Sequence, residues 1–152
     1  MTLMGFLEKP GIFCYNTAMT KMNDNLYYPE LSYQICGLCF QVHNELGRYG
    51  SEKQYADALE ALLKKHALSY VREEFLPASF VGEGNRNKPD FLIGDLIIVD
   101  LKAKLVITKD DYFQMKRYLD ASKKELGIIF NFRQKYLRPK RVIRGVISGI
   151  GV

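Results

Sequence analysis

Between residues 30 and 46 the apolar positions Leu31, Ile35, Leu38, Cys39 and Val42 recur at intervals of three and four. That spacing traces one stripe of an α-helix, opened by Pro29 and stopped by Gly47. A second helical stripe, Tyr55, Leu59, Leu62 and Leu63, predicts a helix from a Ser51 N-cap to about residue 66. The period then changes. Residues 68–80 are rich in β-branched and aromatic side chains, as a strand requires, and a polar, Gly-containing loop is expected over 81–88. Residues 91–93 and 96–104 read as a hairpin about Gly94-Asp95. A helix is expected over 109–124, a buried strand over 126–132 and a last strand over 141–147. The order α-α-β-β-β-α-β-β predicts an α/β fold with helices packed on a mixed sheet.

Residues 1–29 lack a period, and Pro10-Gly11 and Asn23-Asp24-Asn25 interrupt them. They are expected to form an N-terminal arm, with a short strand near residues 11–16, ahead of a single domain over 30–152. A chain of 152 residues with 47% hydrophobic and 26% charged side chains can bury a core without staples. No apolar run approaches the roughly 18 residues of a membrane span. Charged and Pro-Gly positions break up residues 1–25, so no signal peptide is read, and the expected address is the cytoplasm.

Cys14, Cys36 and Cys39 are an odd set, which argues against a disulfide framework. The Cys36-x-x-Cys39 spacing suits zinc, but no second Cys/His pair follows it. The expectation is two small residues on a packed helix face. Charge is more informative. Residues 101–144 hold 13 Lys/Arg against 4 Asp/Glu, while the rest of the chain is net acidic. A basic half beside an acidic half points to a polyanionic partner.

The chemistry starts at Lys102. Alternation along Val99-Asp100-Leu101-Lys102 puts Asp100 and Lys102 on one strand face and Leu101 on the other. Ile97, Ile98 and Val99 make this a central buried strand, where a carboxylate and an ammonium are costly unless paired or bound. Two readings stand: a salt bridge at the sheet's end, or a metal-holding Asp100 with Lys102 facing a phosphate. Asp90, after Pro89, begins the neighbouring strand, and two adjacent carboxylates repel unless a cation lies between them. Hard oxygen donors of this kind suit Mg²⁺ or Mn²⁺.

Register decides whether the two acids meet. A two-residue Gly94-Asp95 turn would pair Asp90 with Val99 and send Asp100 to the opposite face. The metal site therefore requires a three-residue loop or a bulge, for which Gly94 is suited. Glu52 supplies a third acid, in the first turn of the second helix, where it either caps the helix or points toward the site. Gln114 and Tyr118 lie four apart on one face of the helix after the strand. Gln114 could bond a ligating carboxylate or the substrate backbone, and Tyr118 could buttress it or stack on a base.

Together these residues resemble the PD-(D/E)XK nuclease superfamily, and within it the small bacterial GxxExxY-type family. The resemblance covers residues 31–142. It rests on Glu45-Leu46-Gly47, Glu52 with Tyr55, Pro89-Asp90, Asp100-Leu101-Lys102-Ala103, Gln114 with Tyr118, residues 127–132 (GIIFNF) and Lys140-Arg141. Two positions depart from the pattern. Tyr49 stands where the family name expects Gly, three residues before Glu52, and Asp100 takes the place of the usual Glu. Neither change removes a metal ligand.

The resemblance implies an αβββαβ restriction-endonuclease-like core and a metal-dependent nuclease acting on DNA more than RNA. Asp90, Asp100 and the Leu101 carbonyl would bind Mg²⁺ or Mn²⁺, with Glu52 at the edge. Lys102 would orient or help deprotonate the attacking water. Gln114 and Tyr118 match the Gln-x-x-x-Tyr element of the RecB-like branch. Arg133, Lys135, Arg138, Lys140 and Arg141 would track the phosphate backbone. A homodimer would suit a nuclease of this size, which often needs a partner to grip both strands. The alternative is a nucleic-acid-binding module of the same fold with little turnover.

Overall fold

The computed structural model describes residues 27–78, 80 and 87–145, and the expected strand near residues 11–16 lies outside them. Helix α1 (Pro29–Leu46) has Pro in its first turn, after Tyr28 in a left-handed conformation. It ends at Gly47, whose φ of 73° few other residues adopt and whose N–H donates to the His43 carbonyl at 2.9 Å. Helix α2 (Glu52–Lys65) is capped as expected by Ser51. The Ser51 hydroxyl accepts from the Gln54 N–H, and the Gln54 side chain accepts from the Ser51 N–H.

Five strands follow: β1 (Tyr70–Arg72), β2 (Phe91–Ile93), β3 (Ile97–Lys102), β4 (Leu126–Asn131) and β5 (Lys140–Ile143). They form one sheet in chain order, with β3 and β4 parallel and the other neighbours antiparallel. Helix α3 (Lys109–Ser122) makes the crossover between β3 and β4. Helices thus flank both faces of a mixed sheet.

Side-chain alternation splits the core in two. Phe91, Ile93, Ile97, Val99, Leu101, Ile128 and Phe130 pack against α1 and α2. Ile98, Ile129 and Val142 pack against Met115, Tyr118 and Leu119 of α3. Every residue of β4 is buried, and so are five of the six in β3, as expected of central strands covered on both sides. Cys36 and Cys39 are free thiols buried in the first cluster, matching the packed-face reading; Cys14 lies outside the described residues.

The edges differ from expectation. The strand expected over 68–80 is only three residues long, because Glu73 turns to a φ of 54° and leaves the extended region. Single hydrogen bonds, Glu73 N–H to Asp90 O and Leu76 N–H to Asn87 O, carry on beyond the ladder. Helix α3 stops at Ser122 because Lys123 adopts φ 61°. Strand β5 ends at Ile143, and residues 146–147 of the expected strand lie outside the described range.

Candidate active site

The hairpin between β2 and β3 sets the register of the site. Ile93 pairs with Ile97, Leu92 with Ile98 and Phe91 with Val99. The loop is therefore Gly94-Asp95-Leu96, three residues long, with Gly94 at φ 63° and Asp95 at φ 57°. One more step in this register places Asp90 opposite Asp100, where a two-residue turn would have paired it with Val99. This is the loop length that the two-acid site requires.

Asp90 Oδ2 accepts a 2.6 Å hydrogen bond from the Leu101 N–H. The N–H and C=O of one strand residue point to the same side, so the Leu101 carbonyl lies on the edge that Asp90 occupies. Burial, reinforced by the charge of Asp100 and more weakly by Glu52, pushes the Asp90 carboxyl up to about 8, against the pull of the Leu101 N–H. The two acids are thus crowded in a poorly solvated place, with Asp100 only 5% exposed.

Lys102 shares the α3 face with Asp100. Its Nζ lies 2.8 Å from Asp100 Oδ2, donates to Gln114 Oε1 at 2.8 Å and sits 3.9 Å from Asp111 Oδ1. Burial disfavours the ammonium, but Asp100, Asp111 and Glu52 outweigh it and raise the Lys102 pKa. The side-chain oxygen of Gln114, a half-buried residue, is thus engaged by Lys102. Tyr118 is buried, and its hydroxyl faces the Lys88 carbonyl at 3.5 Å, just ahead of Pro89-Asp90. Burial, then Asp100 and Asp90, push its phenol upward. The buried ring packs inside the protein, beside the segment that leads to Asp90.

Glu52 does not cap α2, since Gln54 does. Its Oε2 instead accepts from the Ala103 N–H at 3.3 Å, at the end of β3 and 51 positions away in sequence. Glu52 and Asp90 line one cleft of about 290 Å³ together with Lys53, Ala56, Arg72 and Glu73.

Sequence reasoning missed two neighbours. Asp111 is buried, receives the Thr108 N–H at 2.8 Å and holds Lys104 Nζ at 2.9 Å. Burial raises its pKa, but the Thr108 N–H and Lys104 bring it below the usual range. Asn131 closes the group, its side chain accepting from the Lys104 N–H and donating to the Lys104 carbonyl. The Thr108-x-x-Asp111 spacing is a capping-box pattern and was the available signal for Asp111.

A family model for the PD-(D/E)XK nuclease superfamily matches residues 29–144, most of the chain. The chain belongs to the PD-(D/E)XK nuclease superfamily. Superfamily membership agrees with the five-stranded mixed sheet and its flanking helices. Among solved structures, the crystal structure of SSO0001 is similar at 15% identity and a TM-score of 0.48. That match covers 89% of this chain and 64% of the other, so the chain spans less than two thirds of its length. No curated protein matches the sequence.

PD-(D/E)XK nucleases typically use divalent metals. Among the described residues no three His, Cys, Asp or Glu side chains gather as a ready-made metal cluster. The donor set nonetheless fits a hard cation that keeps most of its waters: two crowded carboxylates and an adjacent backbone carbonyl. The fit rests on that geometry: Asp90 and Asp100 stand opposite each other across the hairpin, with Asp100 buried and the Leu101 backbone beside Asp90.

The basic run divides. Lys140 pairs with Ile129, which packs toward α3, so Lys140 lies on the face of Asp100 and Lys102. Arg141 lies on the other face, donating to Ser32 Oγ of α1 at 2.8 Å. Arg133 Nε donates to the Arg48 carbonyl, while Arg48 Nε donates to the Arg133 carbonyl, which ties the α1–α2 turn to the end of β4. Lys135 and Arg138 are exposed on the loop between β4 and β5. No helix among the described residues is long and apolar enough to cross a membrane.

Proposed function

We propose that this PD-(D/E)XK protein is a GxxExxY-type, Mg²⁺- or Mn²⁺-dependent nuclease that hydrolyses phosphodiester bonds of DNA. The observation that carries the reading is the meeting of Asp90 and Asp100 across the three-residue loop, with Lys102 beside them on one face. Asp90, Asp100 and the Leu101 carbonyl would hold the cation, and Glu52 would stand at its edge. A divalent cation held there lowers the pKa of a water and polarises the scissile phosphate.

The chain's own residues do the positioning. Lys102, kept an ammonium by its acidic neighbours, would orient the attacking water, with Gln114 aiming its Nζ. Asp111 would share the Lys102 charge, and Tyr118 would brace the segment that delivers Asp90. Lys135, Arg138 and Lys140, with Arg133 nearby, would neutralise backbone phosphates. In this reading residues 30–152 would make up the nuclease domain, and the enzyme would work in the cytoplasm. A second copy would let it hold both strands of a duplex.

The 2.8 Å ion pair between Lys102 and Asp100 favours a second reading. In it the pair is purely structural and the protein binds nucleic acid without cutting it. Cleavage of end-labelled single- and double-stranded DNA in Mg²⁺, Mn²⁺ or EDTA, beside Asp100→Ala and Lys102→Ala, decides between them. Metal-dependent cutting lost in both variants supports the nuclease. Binding without cutting in any metal supports the binding module.

A further inference from the structure

The loop between β4 and β5 encloses a cleft of about 270 Å³ lined by Gln134, Lys135, Tyr136, Arg138 and Lys140. Three cations and one aromatic ring thus surround one concavity. Leu137 is 5% exposed and packs into the core, which pins the middle of the loop. Tyr136 beside it is 64% exposed, so the anchored residue presents a neighbouring ring to solvent. Lys135 Nζ lies 5.4 Å from the Tyr136 ring centroid, where the ring helps to hold its charge.

The cleft also lies at the right end of the sheet. Strands β3 and β4 are parallel, and the Phe132 N–H donates to the Lys102 carbonyl at 2.8 Å, so the loop leaves the sheet where the catalytic strand ends. Lys140 is on the same face as Asp100 and Lys102. Strand β5 is two places from β3, which separates them by about 10 Å.

We infer that this cleft is a subsite for one unpaired nucleotide of a DNA or RNA strand, its base stacked on Tyr136 and its phosphates held by Lys135, Arg138 and Lys140. The inference rests on the nuclease reading and adds to it a preference for unpaired over base-paired strand. Cations alone would serve any phosphate chain. The exposed ring is the selective element, because a base offers its π-face only when it is unstacked.

Binding of the full-length protein to fluorescein-labelled oligonucleotides, followed by anisotropy in EDTA, tests this without turnover. The probes are a single-stranded DNA, a single-stranded RNA of the same sequence and a blunt DNA duplex. Tyr136→Ala should weaken single-strand binding roughly 5- to 150-fold while changing duplex binding less than about twofold. Tyr136→Phe should keep wild-type affinity, and Lys140→Ala should make the single-strand salt dependence shallower by about 0.7 in log–log slope. Whichever single strand responds more to Tyr136→Ala is the source of the nucleotide. Equal losses on single strand and duplex, or no loss on either, would overturn the subsite and leave the nuclease reading standing. Failure of the wild-type protein to bind any probe would overturn the subsite and leave the nuclease reading to the cleavage assay. An unchanged unfolding midpoint for Tyr136→Ala, expected for an exposed ring, ties any loss to binding.

Discussion

Asp90 Oδ2 takes the Leu101 N–H at 2.6 Å, which fixes one carboxylate against the backbone midway between Asp100 and Lys102. That bond fixes which way Asp90 faces and leaves two acids facing each other across the hairpin.

Replacing Asp90 with Asn should therefore separate stability from function. Removing one of two crowded carboxyls should raise the melting temperature of the metal-free protein, while the stabilisation given by added Mg²⁺ or Mn²⁺ disappears. Cleavage should be lost in the same variant. Differential scanning fluorimetry with and without metal checks the first two points; a lower metal-free melting temperature would show that Asp90 is not electrostatically strained.

The same crowding predicts a pH signature. Asp90 has a pKa raised to about 8, so the folded protein holds this proton more tightly than the unfolded chain does. Its contribution to metal-free stability is full below a pH of about 4 and is lost as pH rises through about 8. Asp57, held low by hydrogen bonds from Lys53 and Arg72, and Glu60, held low by Tyr70 and Arg72, act in the opposite sense at acidic pH. Between pH 5 and 8, roughly, loss of the Asp90 proton should lower metal-free stability, and metal must compete with that proton. The metal-induced rise in melting temperature should grow across that window and be flat in Asp90→Asn.

Gln114 touches Lys102 at 2.8 Å, so its effect should be on aim more than on substrate binding. Gln114→Ala should lower kcat about 10- to 100-fold with KM little changed. Steady-state cleavage of an end-labelled DNA measures the split, and a change confined to KM would place Gln114 on the substrate instead.

Two glycines should fail for different reasons. A Cβ on Gly127 of β4 would meet the Met115 sulfur of α3, and Met115 is itself buried. Gly127→Ala should cost about 1–3 kcal/mol through overpacking, measured by urea denaturation. Gly94 combines φ 63° with a Cβ position 2.8 Å from Leu31 Cδ2. Gly94→Ala should cost a similar amount, about 1–3 kcal/mol, through backbone strain. It should also lower metal affinity, because this loop sets the pairing of Asp90 with Asp100. Gly127→Ala should leave metal affinity alone.

What the chain determined by itself is what local periodicity can carry. The stripes of α1 and α2, the Ser51 cap, the buried run of β3 and β4, and the common face of Asp100 and Lys102 all follow from spacings of four residues or fewer. Membership of the nuclease superfamily was legible for the same reason, since its motif elements are short and fall in order along the chain. The tertiary structure decided the rest. Whether the hairpin loop had two residues or three was undetermined locally, yet a slip of one residue would have put Asp90 and Asp100 on opposite faces. Glu52 met the end of β3 only because α2 packs across that end. Asp111 and Lys104 met only where α3 begins its crossover. Lys140 and Arg141, adjacent in a basic run, were sent to opposite faces once β5 paired with β4. Those outcomes depend on strand register and layer packing, which bring together residues far apart in the chain.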